Sequence, residues 1–236
     1  MLLAFPMTAA RRERRLRPRR EPRQERAAET RARLLDAAAR VFEDRGYDGG
    51  TTNRIAEAAS MSVGSLYQYF PNKDAILVEL MVGHIAEGGE RVRAAVAEAR
   101  AADADLEVLT GSVVAALLAL HREAPRLHQI LMTRVPLPPD VAARIEALEA
   151  AIVLDLVAVL RERAGRTGEE GDVVRAAMAA ATVNALVHQQ VSRPDPPIPD
   201  PVFLAETTRI VVGYLTGAGG DTGGDRGPGP RGTMAT

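Results

Sequence analysis

The stretch TTNRIAEAASMSVGSLYQYFPNKDAIL, residues 51–77, decides how the chain reads. Thr51 and Thr52 supply hydroxyls suited to capping a helix N-terminus. The short segment that follows, Asn53 to Ala59, carries Ile55, Ala56 and Ala59 on one face. Ser60 and Met61 make a brief break. Ser62 then caps a second short segment through Phe70, which Pro71 and Asn72 end, and Lys73-Asp74 opens a longer amphipathic helix carrying Ile76, Leu77, Leu80 and Met81. Upstream, Leu34, Leu35, Ala38, Val41 and Phe42 fall at helical spacing, with Gly46 available as a stop after Arg45. Two short helices with a tight turn between them, a helix before and a longer one after, spell a helix-turn-helix unit.

On a helical wheel, Leu66 and Phe70 point one way with Val63 at the edge of that face, while Gly64, Ser65 and Gln68 point the other way. Such a rod can seat its apolar side on neighbouring helices and offer a slim polar side to a duplex groove about 12 Å wide. Gly64 permits close approach, Ser65 and Gln68 can hydrogen-bond base edges, and Gln suits adenine. Tyr67 and Tyr69 flank that side with hydroxyls that can reach phosphates. Thr52 and Lys73 sit at helix N-termini, where free N–H groups and the macrodipole favour an anion.

Residues 51–77 closely resemble the signature of TetR-type regulators: a threonine-capped helix, a turn, then a Gly-x-Leu-Tyr-x-Tyr/His-Phe helix followed by a lysine. The resemblance spans about Gln24 to Leu77. Ser60 departs from the glycine common at the turn and Met61 from the usual valine. The resemblance implies an all-α protein, with an N-terminal three-helix helix-turn-helix domain followed by a larger helical ligand-binding and dimerisation bundle. It implies a base-facing set of Ser62, Val63, Gly64, Ser65 and Gln68, and phosphate contacts from Thr52, Tyr67, Tyr69 and Lys73, with Arg54 a further phosphate candidate.

The rest of the chain agrees with such a protein. Its 236 residues are 46% hydrophobic but only 3% aromatic, which favours packed helices over sheets. The net charge of −1 hides an asymmetry: Met1 to Ala75 carries 15 basic and 10 acidic residues, net +5, and the remainder 15 and 21, net −6. One end suits a polyanion. Residues 1–23, with Arg11, Arg12, Arg14, Arg15, Arg17, Arg19, Arg20 and Arg23, read as a disordered arm. That arm is a solvated tail, sequence upstream of a later true start, or an arm that tracks phosphates or the minor groove. The helix-turn-helix domain is expected over 24–72, a helical effector-binding and dimerisation domain over 73–216, and a disordered Gly/Pro-rich tail over 217–236.

In the long domain, apolar spacing predicts helices over Leu106–His121, Arg126–Met132, Val141–Arg163, Asp172–Val191 and Val202–Leu215, with breaks at Pro136, Pro138 and Pro139 and at Pro194, Pro196, Pro197, Pro199 and Pro201. Met81, Met132 and Met178 read as core, although thioethers also suit an adaptable apolar pocket. A single short recognition helix offers few base contacts, so two are expected to act across a palindromic operator in a homodimer. The dimer surface is expected on the last two helices: Ala176, Ala177, Ala180, Ala181 and Ala185 for close approach, and Val202, Phe203, Ile210, Val211 and Tyr214 for apolar area.

Double-stranded DNA, a second copy and a small effector in an unassigned pocket are thus the expected partners. Neither membrane, cofactor, metal nor catalysis is expected. With no cysteine, thiol chemistry is excluded, and no nucleophile or acid–base constellation stands out. MLLAFPMTAA is interrupted by Pro6 and precedes its basic run, the reverse of a secretory signal, and charges interrupt every apolar helix, so a cytoplasmic location is expected. Of the histidines His84, His121, His128 and His188, only His121 and His128 are spaced for one helical face. Pro125 lies between them, which makes surface or core-edge positions the expected reading.

Overall fold

The structure is a computed structural model and describes residues 21–135, 137–164, 170–193 and 198–216. Residues 1–20 of the arginine-rich arm, the prolines at 136, 194, 196 and 197, and the tail 217–236 lie outside the described residues. All regular structure among the described residues is helical: α1 (Glu21–Gly49), α2 (Thr52–Ala58), α3 (Val63–Tyr67), α4 (Lys73–Ala101), α5 (Leu106–Glu123), α6 (Pro125–Arg134), α7 (Pro139–Ala164), α8 (Glu170–Val191) and α9 (Asp200–Thr216). None of these helices is long and apolar enough to cross a membrane.

Helix α1 begins before Gln24, with Pro22 in its first turn, where the missing N–H leaves no intrahelical bond unmade. It is interrupted at Gly46, whose φ of 71° and ψ of −179° suit only glycine. Glycine is also required at Gly50, where an added Cβ would overlap the ring of the fully buried Phe42. Helix α2 is capped by Thr51, whose side chain accepts from the Arg54 N–H.

A Schellman motif ends α2: the Ser60 N–H donates to Glu57 O at 2.9 Å and the Met61 N–H to Ala56 O at 2.8 Å. That motif needs a left-handed residue at Ser60, and the serine takes it with φ 55°. The turn that a glycine ordinarily makes is therefore kept by a residue that resists it. The same device ends α4, where Asp103 has φ 50° and Ala104 N–H bonds to Ala99 O at 2.9 Å.

The chain forms two compact units, one running to Met81 and including Gln129–Pro136, the other comprising Val82–His128 and the chain from Leu137 onward. The division between the two units falls inside α4. In the first unit, Leu34, Ala37, Ala38 and Phe42 of α1 are buried, as are Ile55 and Ala56 of α2, Leu66 of α3, Phe70, and Ile76 and Leu77 of α4.

The second unit has two apolar clusters. One joins Val114 and Leu118 of α5 to Ala179, Val183, Val187 and Val191 of α8 and Phe203 and Val211 of α9. The other joins Val92, Ala95, Val96 and Ala99 of α4 to Leu109 and Val113 of α5 and Val159 of α7. Phe203, expected at a dimer face, is 6% exposed and packs inward, because α9 turns that position toward α5 and α8. Val211 and Ala176 are likewise buried. Of the three methionines expected in the core, Met81 is buried but Met132 and Met178 are exposed. The start of α9 is anchored by Asp200, which accepts from Arg122 at 2.8 Å and from the Gln190 side chain at 3.0 Å.

The histidines depart most from expectation. Pro125 does end one helix and start another, α5 stopping at Glu123 and α6 starting at Pro125. The break does not separate the pair, however. It turns the chain at Ala124 (φ −145°, ψ 71°) so that the His128 ring meets the His121 ring with centroids 4.2 Å apart. His121 and His128 are 3% and 2% exposed. His84 arrives from α4, 5.0 Å from His121, and His188 from α8, 4.7 Å from His128.

Burial pushes His84 and His188 down to about 4 and His128 down to about 2, with neighbouring imidazoles adding to each shift. Arg91 is the nearby cation acting on His84 and His121. His121 is also lowered by burial, against the opposing effect of the Leu117 carbonyl.

Two outcomes follow. Ser60→Gly should raise stability by about 0.5–1 kcal/mol in urea denaturation, since relief of left-handed strain exceeds the added chain entropy; unchanged or lowered stability would contradict the strained turn. The histidine contribution to stability is complete above the ordinary value of 6.5 and is lost as pH falls toward about 4, because the unfolded rings take up protons that the folded ones refuse. In chelator, the urea midpoint should therefore drop between about pH 7.5 and about pH 5, and His188→Gln should flatten that slope.

Candidate nucleic-acid interface

Helix α3 is short because its ends are set by side chains and packing rather than by length. Ser62 is its N-cap, accepting from the Ser65 N–H at 3.1 Å, while the two serine hydroxyls share a hydrogen bond at 2.8 Å. Gln68 is its C-cap. The helical path continues one bond further, the Phe70 N–H donating to Leu66 O at 3.0 Å. Leu66 and Phe70 are buried and Val63 is half-buried, which leaves Ser62, Gly64 and Gln68 exposed and Ser65 half-exposed. A Cβ on Gly64 would meet nothing closer than the Ser62 hydroxyl at 3.9 Å, so this side of α3 is open.

The phosphate candidates border this side at different degrees of freedom. Tyr67 is 51% exposed and its hydroxyl lies 3.2 Å from that of Thr52, which joins the start of α2 to the end of α3. Either hydroxyl can donate outward while accepting from the other. Tyr69 is half-buried. Arg54 donates one guanidinium N–H to Gly49 O at 2.7 Å, leaving its remaining donors on an exposed side chain. Lys73 is the most tied: its ammonium donates to Tyr47 O at 2.9 Å and lies 3.6 Å from the centre of the Tyr47 ring.

Tyr47 escaped sequence reasoning altogether. Its hydroxyl donates to Asp74 at 2.8 Å, a bond that, with burial, raises the phenol above its ordinary 10. The Arg134 guanidinium lies 5.7 Å from the same ring. A tyrosine just after a glycine stop has no periodic neighbours to mark it. Asn72 was also missed as a cap: read as the end of one helix, it starts the next by accepting from the Ala75 N–H at 2.8 Å.

In the second unit, one ring nitrogen from each of His84, His121 and His128 lies within 4.8 Å of the others.

Comparison with known proteins agrees with this geometry. Residues 34–80 match the family described as bacterial regulatory proteins, tetR family, and residues 105–215 match the tetracyclin repressor-like C-terminal domain. The Pseudomonas putida protein named "Probable HTH-type transcriptional regulator ArpR" is 30% identical over 183 residues, covering 72% of this chain and 84% of its own length. The HTH-type transcriptional repressor KstR2 of Rhodococcus jostii is 35% identical over 91 residues, 39% of this chain and 45% of its own length. Among solved structures, FadR of Bacillus subtilis in complex with stearoyl-CoA superposes with a TM-score of 0.56 at 19% identity, covering 79% of this chain and 98% of that one, and shares the fold. The helix-turn-helix geometry and these matches together place the chain in the TetR family of bacterial transcriptional regulators.

Proposed function

We propose that the protein is a cytoplasmic homodimeric repressor that binds a palindromic operator through α3 and is released by a small, apolar effector. The observation that carries this reading is the two-sided character of α3: Leu66 and Phe70 wholly inside, Gly64 and Gln68 wholly outside, with the Thr52–Tyr67 hydroxyl pair at its edge. Ser62, Val63, Gly64, Ser65 and Gln68 face base edges, and Thr52, Arg54, Tyr67, Tyr69 and Lys73 hold the backbone. Lys73 does so with its ammonium already anchored on Tyr47, which fixes where its charge sits.

Binding-site selection from random duplexes tests this directly. Gln68→Ala should cost about 1–3 kcal/mol at the selected site and relax preference at one base pair. Tyr67→Phe should weaken binding evenly across sequences. If Gln68→Ala left the selected sequence and its affinity unaltered, α3 would not be the reading element.

For the dimer, support comes from apolar residues left outside. Ala177, Ala181 and Ala185 recur every four residues on α8 and are all exposed, beside exposed Val173, Val174 and Met178. On α9, Val202, Ile210 and Tyr214 are about half exposed, whereas Phe203 is withdrawn into the core. Small residues allow two helices to approach closely, and the larger ones supply area. Ala181→Glu combined with Ile210→Glu should turn a dimer into a folded monomer at micromolar concentration in sedimentation velocity, with operator affinity lost in parallel. A wild-type protein that sediments as a monomer would refute this part.

The effector reading is supported by the relative crystallised with stearoyl-CoA. Loss of operator affinity on titration with long-chain acyl thioesters or comparable apolar molecules is the expected sign, and DNA must weaken effector binding by the same factor.

A further inference from the structure

All four histidines of the chain lie in one place, brought from three separate stretches of sequence and four helices. Chance burial of imidazole is common singly, since one ring can satisfy one donor and one acceptor with neighbouring backbone. Four together are different: each neutral ring has a donor and an acceptor to satisfy. His121 has a backbone partner, its Nδ1 lying 2.6 Å from Leu117 O. The Nε2 of His128 is buried without a hydrogen-bond partner.

The geometry points to a site for a divalent late first-row transition ion, such as zinc or cobalt, held by His84, His121 and His128 with His188 packed against them. Several features support it. His128 Nδ1 and His84 Nε2 face each other at 3.2 Å, close to the spacing of about 3.3 Å between two nitrogens bound tetrahedrally at about 2.0–2.1 Å. The third ring lies close by, all three ligand nitrogens falling within 4.8 Å of one another.

The bond to Leu117 O requires an N–H at Nδ1 of His121 and so leaves the Nε2 lone pair free. Ligating histidines are commonly oriented by a carbonyl or carboxylate on the other nitrogen in this way. The nearby cation, Arg91, is held by Glu87 at 2.6 Å and Glu123 at 2.7 Å, which offsets its repulsion of a second positive charge. An all-nitrogen set favours zinc, cobalt, nickel or copper over the oxygen-seeking magnesium and calcium. His188 packs edge-on against His121 and His128, with centroids at 5.0 and 4.7 Å.

The test uses the tag-free full chain, stripped with chelator and titrated with Co(II) while the visible spectrum is recorded. One Co(II) per chain, with intense visible bands of a four-coordinate nitrogen site that zinc abolishes by displacement, is the expected result. His84→Gln, at the half-buried member, should weaken Co(II) binding by at least about tenfold with helical circular dichroism unchanged. His128→Gln should abolish it; if that variant fails to fold, His84→Gln and His121→Gln carry the test. Substoichiometric binding, a weak six-coordinate spectrum, or full binding by a folded His84→Gln variant would each overturn the assignment. None of these readouts involves DNA, so their failure leaves the operator reading untouched, and failure of the operator reading leaves the site intact.

Discussion

Everything at the reading surface depends on the burial of Leu66 and Phe70. A helix of five residues cannot sustain itself, since forming its first turn costs more than its few hydrogen bonds return. It exists because two fully buried side chains, four positions apart, hold it in the core of the first unit, where Ile55, Ala56, Ile76 and Leu77 are buried too, while Ser62 accepts from the Ser65 N–H. The polar side is thereby held at fixed height and angle by groups that never touch a ligand. A change to the apolar side would move every residue of the polar side at once.

The helix-turn-helix was legible from sequence because its determinants are local. Capping hydroxyls, apolar spacing and a proline stop sit within a few residues of what they control, so residues 51–77 could be read almost atom by atom. Even the departure at Ser60 was visible, though not its outcome: the Ala56 and Glu57 carbonyls demand a left-handed residue there, and the serine yields. What could not be read was set by tertiary contacts. The anchoring of Lys73 on Tyr47 links residues 26 apart, with no pattern along the chain to announce it. Phe203 belongs to an apolar stripe of α9 broad enough to face either a neighbour or the core, and only the packing of α5 and α8 decides which.

The histidines teach the same lesson from the opposite side. Along the sequence, Pro125 argues against any relation between His121 and His128, because a broken helix loses its periodicity. In three dimensions the break is what brings the rings together, and α4 and α8 add one ring each. Periodicity reports on straight segments; it is silent about what a corner can assemble. Clustering four weakly basic rings out of water is costly, and a fold without function for them would more readily carry leucine or valine there.

Four tyrosines and no tryptophan occur in the chain. Tyr47, Tyr67 and Tyr69 belong to the first unit, and Tyr214 lies exposed on α9. The tyrosine emission of this protein therefore originates from the first unit and from the outer flank of α9. Removing Tyr214 would leave a tyrosine signal that belongs to the first unit alone.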